Sequence, residues 1–226
     1  MRIHILQNSS ETPPGTVLEW LKVSKRECTL VKLFDGEKVP RVEDTDFVIV
    51  LGGPMNVDEV EAFPWLIDEK EFLRQLIIGK KTCLGICLGG QLLAQILGGT
   101  VTRHEHWEVG WHAITIGPTQ RLMVFQWHQD TFTIPPGAVR VATNRICENQ
   151  AFAFGDNVVG VQFHPEATEE WIAENAADPE QPTGPHVQNP GAMLEERIFC
   201  VPMKKWFFEL LDQMARKTAQ SLKGGS

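Results

Sequence analysis

With 226 residues, 42% of them hydrophobic, the chain can bury one sizeable core and fits one large domain. Its 29 Asp+Glu against 21 Lys+Arg leave a formal charge of -8, which argues against nucleic acid or an anionic membrane as main partner, since both need clustered basic side chains. No apolar stretch nears the ~20 residues of a bilayer span, and the first residues carry no signal-peptide pattern, so a soluble cytoplasmic protein is expected.

The first half alternates. Arg2 to Gln7 reads as an opening strand, Thr16 to Val23 as a helix after the Pro13-Pro14-Gly15 loop, and Glu27 to Phe34 as a second strand. Asp46 to Leu51 is a continuous apolar run of the kind a buried parallel strand needs, and it stops at Gly52-Gly53-Pro54. Trp65 to Ile78 has apolar residues at helical spacing, and a strand then leads into Cys87. Strands alternating with helices predict an α/β fold in which helices flank a central, mostly parallel, flavodoxin-like sheet.

After Gly99 the pattern shortens. Residues 100–103, 111–116, 139–143, 151–154 and 158–163 read as strands separated by Gly/Pro/Asn turns. They predict a small antiparallel extension beside the parallel sheet. Residues 176–192, rich in Pro, Asn and Gly, read as an excursion loop. An amphipathic helix is expected over about 193–217, with Pro202 placed to kink or split it, followed by a flexible tail over 221–226. One domain spans 1–226.

The chemistry concentrates at two points. Gly85-Ile86-Cys87-Leu88-Gly89 joins a strand to the helical run Gln91–Leu97; strand, glycine turn and helix hold a nucleophile exposed above an α/β sheet. His164-Pro165-Glu166 ends the strand-like run 158–163. With Pro165 favouring an extended backbone, His164 and Glu166 face the same side. A thiol, an imidazole as general base and then acid, and a carboxylate that orients the imidazole outline a thiol acyl-transfer site. A backbone N–H after Gly52 and the N–H of Leu88 are natural donors to a developing oxyanion.

The other cysteines (28, 83, 147 and 200) are read as reduced, small buried hydrophobes, and the absence of Cys-x-x-Cys argues against structural zinc. His104, His106 and His112 lack carboxylate or cysteine partners at ligand spacing and are read as edge-strand histidines; no metal is expected. Trp107, Trp111, Trp127 and Trp171 are read as core or rim.

Three segments, Leu51-Gly52-Gly53-Pro54, Gly85-Ile86-Cys87-Leu88-Gly89-Gly90-Gln91 and Gly160-Val161-Gln162-Phe163-His164-Pro165-Glu166, stand in the order found in class I glutamine amidotransferases, the triad-type glutaminases, and the chain resembles that family over most of its length. The resemblance implies Cys87, His164 and Glu166 as catalytic triad, and Gly53 and Leu88 as oxyanion donors. It further implies Gln91 as a contact to the glutamine α-amino and carboxylate end. It implies a small-molecule γ-glutamyl substrate and no cofactor. Trp127-His128-Gln129-Asp130 departs from the Ser-His-Gly-Asp of GMP synthetases and resembles free-standing GMP-synthetase-like amidotransferases and γ-glutamyl peptidases. His128 and Asp130 are therefore placed either at the substrate mouth or in a strand-to-turn polar pair. No ATP-binding Gly-rich loop is present, so any ammonia acceptor, or a synthetase partner, is expected outside this chain.

Overall fold

Runs of aliphatic residues set the centre of the molecule. In the computed structural model, which describes residues 1–224, β1 (Ile3–Gln7), β3 (Phe47–Val50) and β4 (Thr82–Ile86) are buried at every position. Alternate side chains feed two cores. Ile3, Ile5, Phe47, Ile49, Leu84 and Ile86 face α1 (Thr16–Ser24) and the C-terminal α6 (Cys200–Gly224). Leu6, Val48, Val50 and Cys83 face α2 (Trp65–Ile78) and α3 (Leu88–Ile96). Each large side chain so buried contributes roughly 1.5–3 kcal/mol relative to exposure, which is why the period-2 alternation is hidden in these strands and both faces read apolar.

The remaining strands are β2 (Cys28–Lys32), β5 (Val101–Ile116), β6 (Gln120–Phe132), β7 (Val139–Thr143), β8 (Ala151–Phe154) and β9 (Val158–Val161). One sheet runs β2-β1-β3-β4-β9-β8-β7-β5-β6. Its first five strands are parallel, in the doubly wound order whose reversal lies between β1 and β3. The other four continue it antiparallel. The loops after β1, β3, β4 and β9 gather at one end, where this architecture places ligands. No helix among the described residues is long and apolar enough to cross a membrane.

Several elements differ from expectation for identifiable reasons. β5 and β6 form one long hairpin that swallows residues 104–110 and 120–132, because its inward positions include the buried polar residues Glu108, Gln126 and His128, which break the apolar alternation. His104, His106 and His112 thus lie on the part of β5 that is flanked by β6 on one side, with β7 joining β5 only at Thr115 and Ile116. A further helix, α4 (Glu169–Ala176), begins at Thr168, whose hydroxyl accepts from the Trp171 N–H; with Glu169 and Glu170 in the first turn this is an ordinary N-cap.

The expected 193–217 helix is divided into α5 (Pro190–Glu195), a 3-10 turn (Glu196–Phe199) and α6. Pro202 falls in the first turn of α6, where a backbone N–H has no partner to lose. The irregular excursion is confined to 177–189 and is tied to β5: Val109 N–H donates to His186 O at 3.0 Å and Gln188 N–H to Val109 O at 3.1 Å. Of the expected tail, 221–224 continue α6, and 225–226 lie outside the described residues.

Candidate active site

Cys87 stands between β4 and α3 with φ 50 and ψ -109, a conformation that disfavours non-glycine residues and marks a strained turn. Its N–H donates to Val161 O at 2.9 Å and its carbonyl accepts from the Gln91 N–H at 3.0 Å. The flanking glycines let α3 press onto the sheet. A Cβ on Gly85 would lie 2.3 Å from the Gly89 backbone, and one on Gly89 would lie 2.3 Å from Val50 O. The thiol therefore sits at a helix N-terminus, where backbone N–H groups favour negative charge.

His164 follows β9. Its N–H donates to Phe125 O at 2.8 Å, and Nδ1 bonds Glu166 Oε1 at 2.8 Å. Both side chains are buried, and the Glu166 pairing leaves Nε2 for chemistry. A Cβ placed on Gly52 would meet His164 Cε1 at 3.0 Å and Cys87 Cβ at 3.5 Å, so imidazole and thiol converge over one glycine backbone. Burial opposes a charged ring, but the negative charges of Glu166 and of a Cys87 thiolate outweigh it and raise His164 to about 10. The arrangement suits a thiolate–imidazolium pair oriented by a carboxylate.

Next to this pair lies the turn after β3. Thr12 Oγ1 donates to Gly52 O at 2.8 Å. Among the described residues neither the Gly53 N–H nor the Leu88 N–H donates to a protein acceptor, which leaves two backbone donors beside the thiol for an oxyanion. Thr12 itself is held by its loop: Trp171 Nε1 donates to Glu11 O at 2.7 Å. Thr12 and Trp171 were not singled out as functional from sequence, since only the fold brings the loop after β1, the turn after β3 and α4 together.

Cys87, His164, Gln91, Gly53, His128 and Asp130 all border one cavity of ≈ 190 Å³. Their polar atoms differ in availability. The Gln91 amide donates to Asp130 O at 3.1 Å and Gln162 Oε1 at 3.4 Å, so its carbonyl oxygen is the freer end. The Asp130 carboxylate accepts from Asn56 at 2.7 Å and Arg103 at 3.4 Å. His128 is committed at both ring nitrogens, Nδ1 to Asp130 O at 3.0 Å and Nε2 to Glu108 Oε2 at 3.1 Å. It therefore offers the cavity a ring surface and a braced backbone, with no spare ring nitrogen. Trp107, Trp127 and Trp171 also border the cavity, whereas Trp111 is core.

Glu108 anchors a buried polar cluster that sequence reading missed. Besides His128 it accepts from Asn144, and from Gln150 Nε2 at 2.8 Å. Burial pushes its carboxyl up, yet the bonds and charge of His128 and the bond from Asn144 hold it below its usual value. The ligand atoms of Glu108, His128 and Cys147 lie within 4.8 Å of one another. Both Glu108 oxygens carry protein donors and burial pushes the Cys147 thiol up, so the three suit a hydrogen-bonded brace better than a metal centre. His104, His106 and His112 form no converging ligand set among the described residues; His112 bonds Val109 O and His104 bonds His106 O.

Comparison with known proteins bears on this geometry. The family model for glutamine amidotransferase class-I matches residues 17–173. A glutamine-hydrolyzing GMP synthase subunit of Saccharolobus solfataricus is 37% identical over 57% of this chain and 71% of its own. Gamma-glutamyl peptidase 2 of Arabidopsis thaliana is 29% identical over 64% of each. The crystal structure of a glutamine amido transferase from Methylobacillus flagellatus superposes with a TM-score of 0.89 at 26% identity, covering 95% of this chain and 94% of that one.

Proposed function

Since the chain belongs to the class I glutamine amidotransferase family, we propose that it hydrolyses a γ-glutamyl amide through a thioester on Cys87. The Cys87 sulfur attacks the amide carbon, and the carbonyl oxygen takes negative charge opposite the Gly53 and Leu88 N–H groups. The C–N bond breaks as His164 Nε2 passes its proton to the departing nitrogen. Water, deprotonated by His164, then attacks the γ-glutamyl thioester, releasing glutamate and restoring the thiol. Glu166 keeps the His164 ring oriented throughout.

The observation that carries this reading is the convergence of a strained, helix-capping Cys87 with a buried His164–Glu166 pair at 2.8 Å. A cytoplasmic setting, which keeps thiols reduced, suits it. Free glutamine is the simplest substrate. A γ-glutamyl peptide is the second, favoured by the likeness to a γ-glutamyl peptidase. The likeness to one subunit of a GMP synthase supports a third arrangement, in which ammonia passes to a synthetase partner and turnover rises when it docks.

The test is release of glutamate from glutamine and γ-glutamyl peptides by the purified protein, with Cys87→Ala as blank. Wild-type turnover that disappears in Cys87→Ala, with an unchanged melting temperature, supports the mechanism. Turnover that survives the substitution sinks it.

A further inference from the structure

The cavity is chemically unequal around its rim, and His164 tells which side is which. The group that protonates the departing nitrogen must face it, so the amine leaves on the His164 side. That side is aromatic. The Trp171 ring lies 5.1 Å from the His164 ring, centroid to centroid. Phe125 meets Trp171 edge-on at 5.9 Å and stacks on Trp127 at 6.2 Å with 20° between planes. Trp127 and Trp107 are both half-buried at the cavity.

Trp107 arrives there through a defect in the hairpin. Arg103 pairs with Asp130 and Glu108 with His128, so residues 104–107 bulge out opposite Gln129 alone. Bulges of this kind re-aim side chains beside binding sites. Ammonia has no apolar surface and gains nothing from three indoles, whereas an amine with a ring or an extended hydrocarbon body would cover them.

We propose that this wall is a leaving-group subsite, and that the substrate is a γ-glutamyl amide whose amine carries an aromatic or bulky apolar body. The proposal rests on the hydrolase reading above and selects the substrate class within it. In the reaction the amide C–N bond breaks, the amine departs with the proton from His164 along the Trp171, Trp127 and Trp107 faces, and water supplies the oxygen of the new γ-carboxylate.

The experiment compares kcat/KM of the wild-type protein for glutamine, γ-glutamyl-glycine and γ-glutamyl-phenylalanine. The last two release α-amines of similar basicity, so a difference between them reports side-chain binding. At least about tenfold in favour of the phenylalanine compound is expected, equivalent to ~1.4 kcal/mol, and Trp107→Ala should bring that ratio close to one. Trp127→Phe, which keeps a ring against Phe125, should lower it in part and guards against a folding artefact. Equal kcat/KM for the two peptides, or a preference for glutamine, overturns the subsite and leaves the hydrolase reading standing. No Cys87-dependent turnover of any of the three overturns both.

Discussion

Replacing Thr12 by valine keeps the shape of the side chain and removes one hydroxyl. That hydroxyl donates to Gly52 O at 2.8 Å. Among the described residues no peptide bond is cis, so the Gly52 carbonyl and the Gly53 N–H point in opposite directions within one plane, and holding the first aims the second. The Trp171 bond to Glu11 O braces the loop from which Thr12 acts. Valine would leave a partly buried carbonyl short of a donor and free the plane between two flexible glycines to turn. One hydrogen bond is worth ~0.5–1.5 kcal/mol net, and outright loss of an oxyanion donor ~2.7–4 kcal/mol.

A peptide that turns but still samples the productive orientation should fall near the lower range. We therefore expect kcat to drop about tenfold, with KM within about twofold, as befits an interaction made only in the transition state. Thr12→Ser, which restores the hydroxyl, should recover most of the loss. The assay is steady-state hydrolysis of the best γ-glutamyl substrate beside thermal melts of all three proteins. Wild-type kcat in Thr12→Val, or a kcat loss that serine does not rescue, would refute the reasoning.

Other expectations follow from the same geometry. Glu166→Gln removes a charge that raises His164 against burial, so the ring should titrate well below the wild-type value of about 10; an unchanged imidazole NMR titration would contradict this. In the wild type that raised value means the ring's contribution to stability is fully present below pH 6.5 and is lost as pH climbs through about 10. Glu69 is fully buried on α2, with only Asn8 donating to Oε1 at 3.1 Å and Oε2 unpartnered. Burial raises it from 4.5 to about 7.

The folded state thus holds the Glu69 proton more tightly than the unfolded chain, and stability should fall by about 3 kcal/mol as pH rises from 4.5 through 7. Glu69→Gln should flatten that slope in urea unfolding at about pH 5 and 8; an identical slope would show that the carboxyl is not its source. Gly89→Ala would force a Cβ to 2.3 Å from Val50 O, and expression should yield little folded protein by circular dichroism, whereas a native melt would mean α3 can lift off the sheet.

The parallel half of the fold is legible because Phe47–Val50 and Thr82–Ile86 are buried on both faces and so read as unbroken apolar runs. The positions proposed for the triad can be read for a different reason: the strained turn at Cys87 demands glycines within two residues of it, and His164 and Glu166, bonded to each other, lie two apart. What escapes is non-local. Glu108, Gln126, His128 and Gln150 hydrogen-bond one another inside the molecule, and in one dimension such mutual pairing cannot be told from a solvated face; it hid residues 104–110 of β5 and all of β6. Thr168-Glu169-Glu170 did carry a capping signal for α4 that the neighbouring Pro- and Asn-rich segment obscured. Thr12 has no local signature at all, since its partner belongs to another strand's turn.

The position of β9 has a consequence for when the site comes into being. Cys87 and His164 end adjacent strands, β4 and β9, paired through Leu84↔Val159 and Gly85↔Gly160, yet β5 to β8 all lie between them in the chain. During synthesis Cys87 leaves the ribosome well ahead of His164. Closing so long an intervening stretch costs little more entropy than closing a shorter one, because that penalty grows only logarithmically with length, but it makes the contact non-local and slow to form. Until β9 slots between β4 and β8, Cys87 is an ordinary cysteine with no imidazole beside it. On the mechanism proposed above, nucleophilic power would thereby be reserved for molecules that have finished folding.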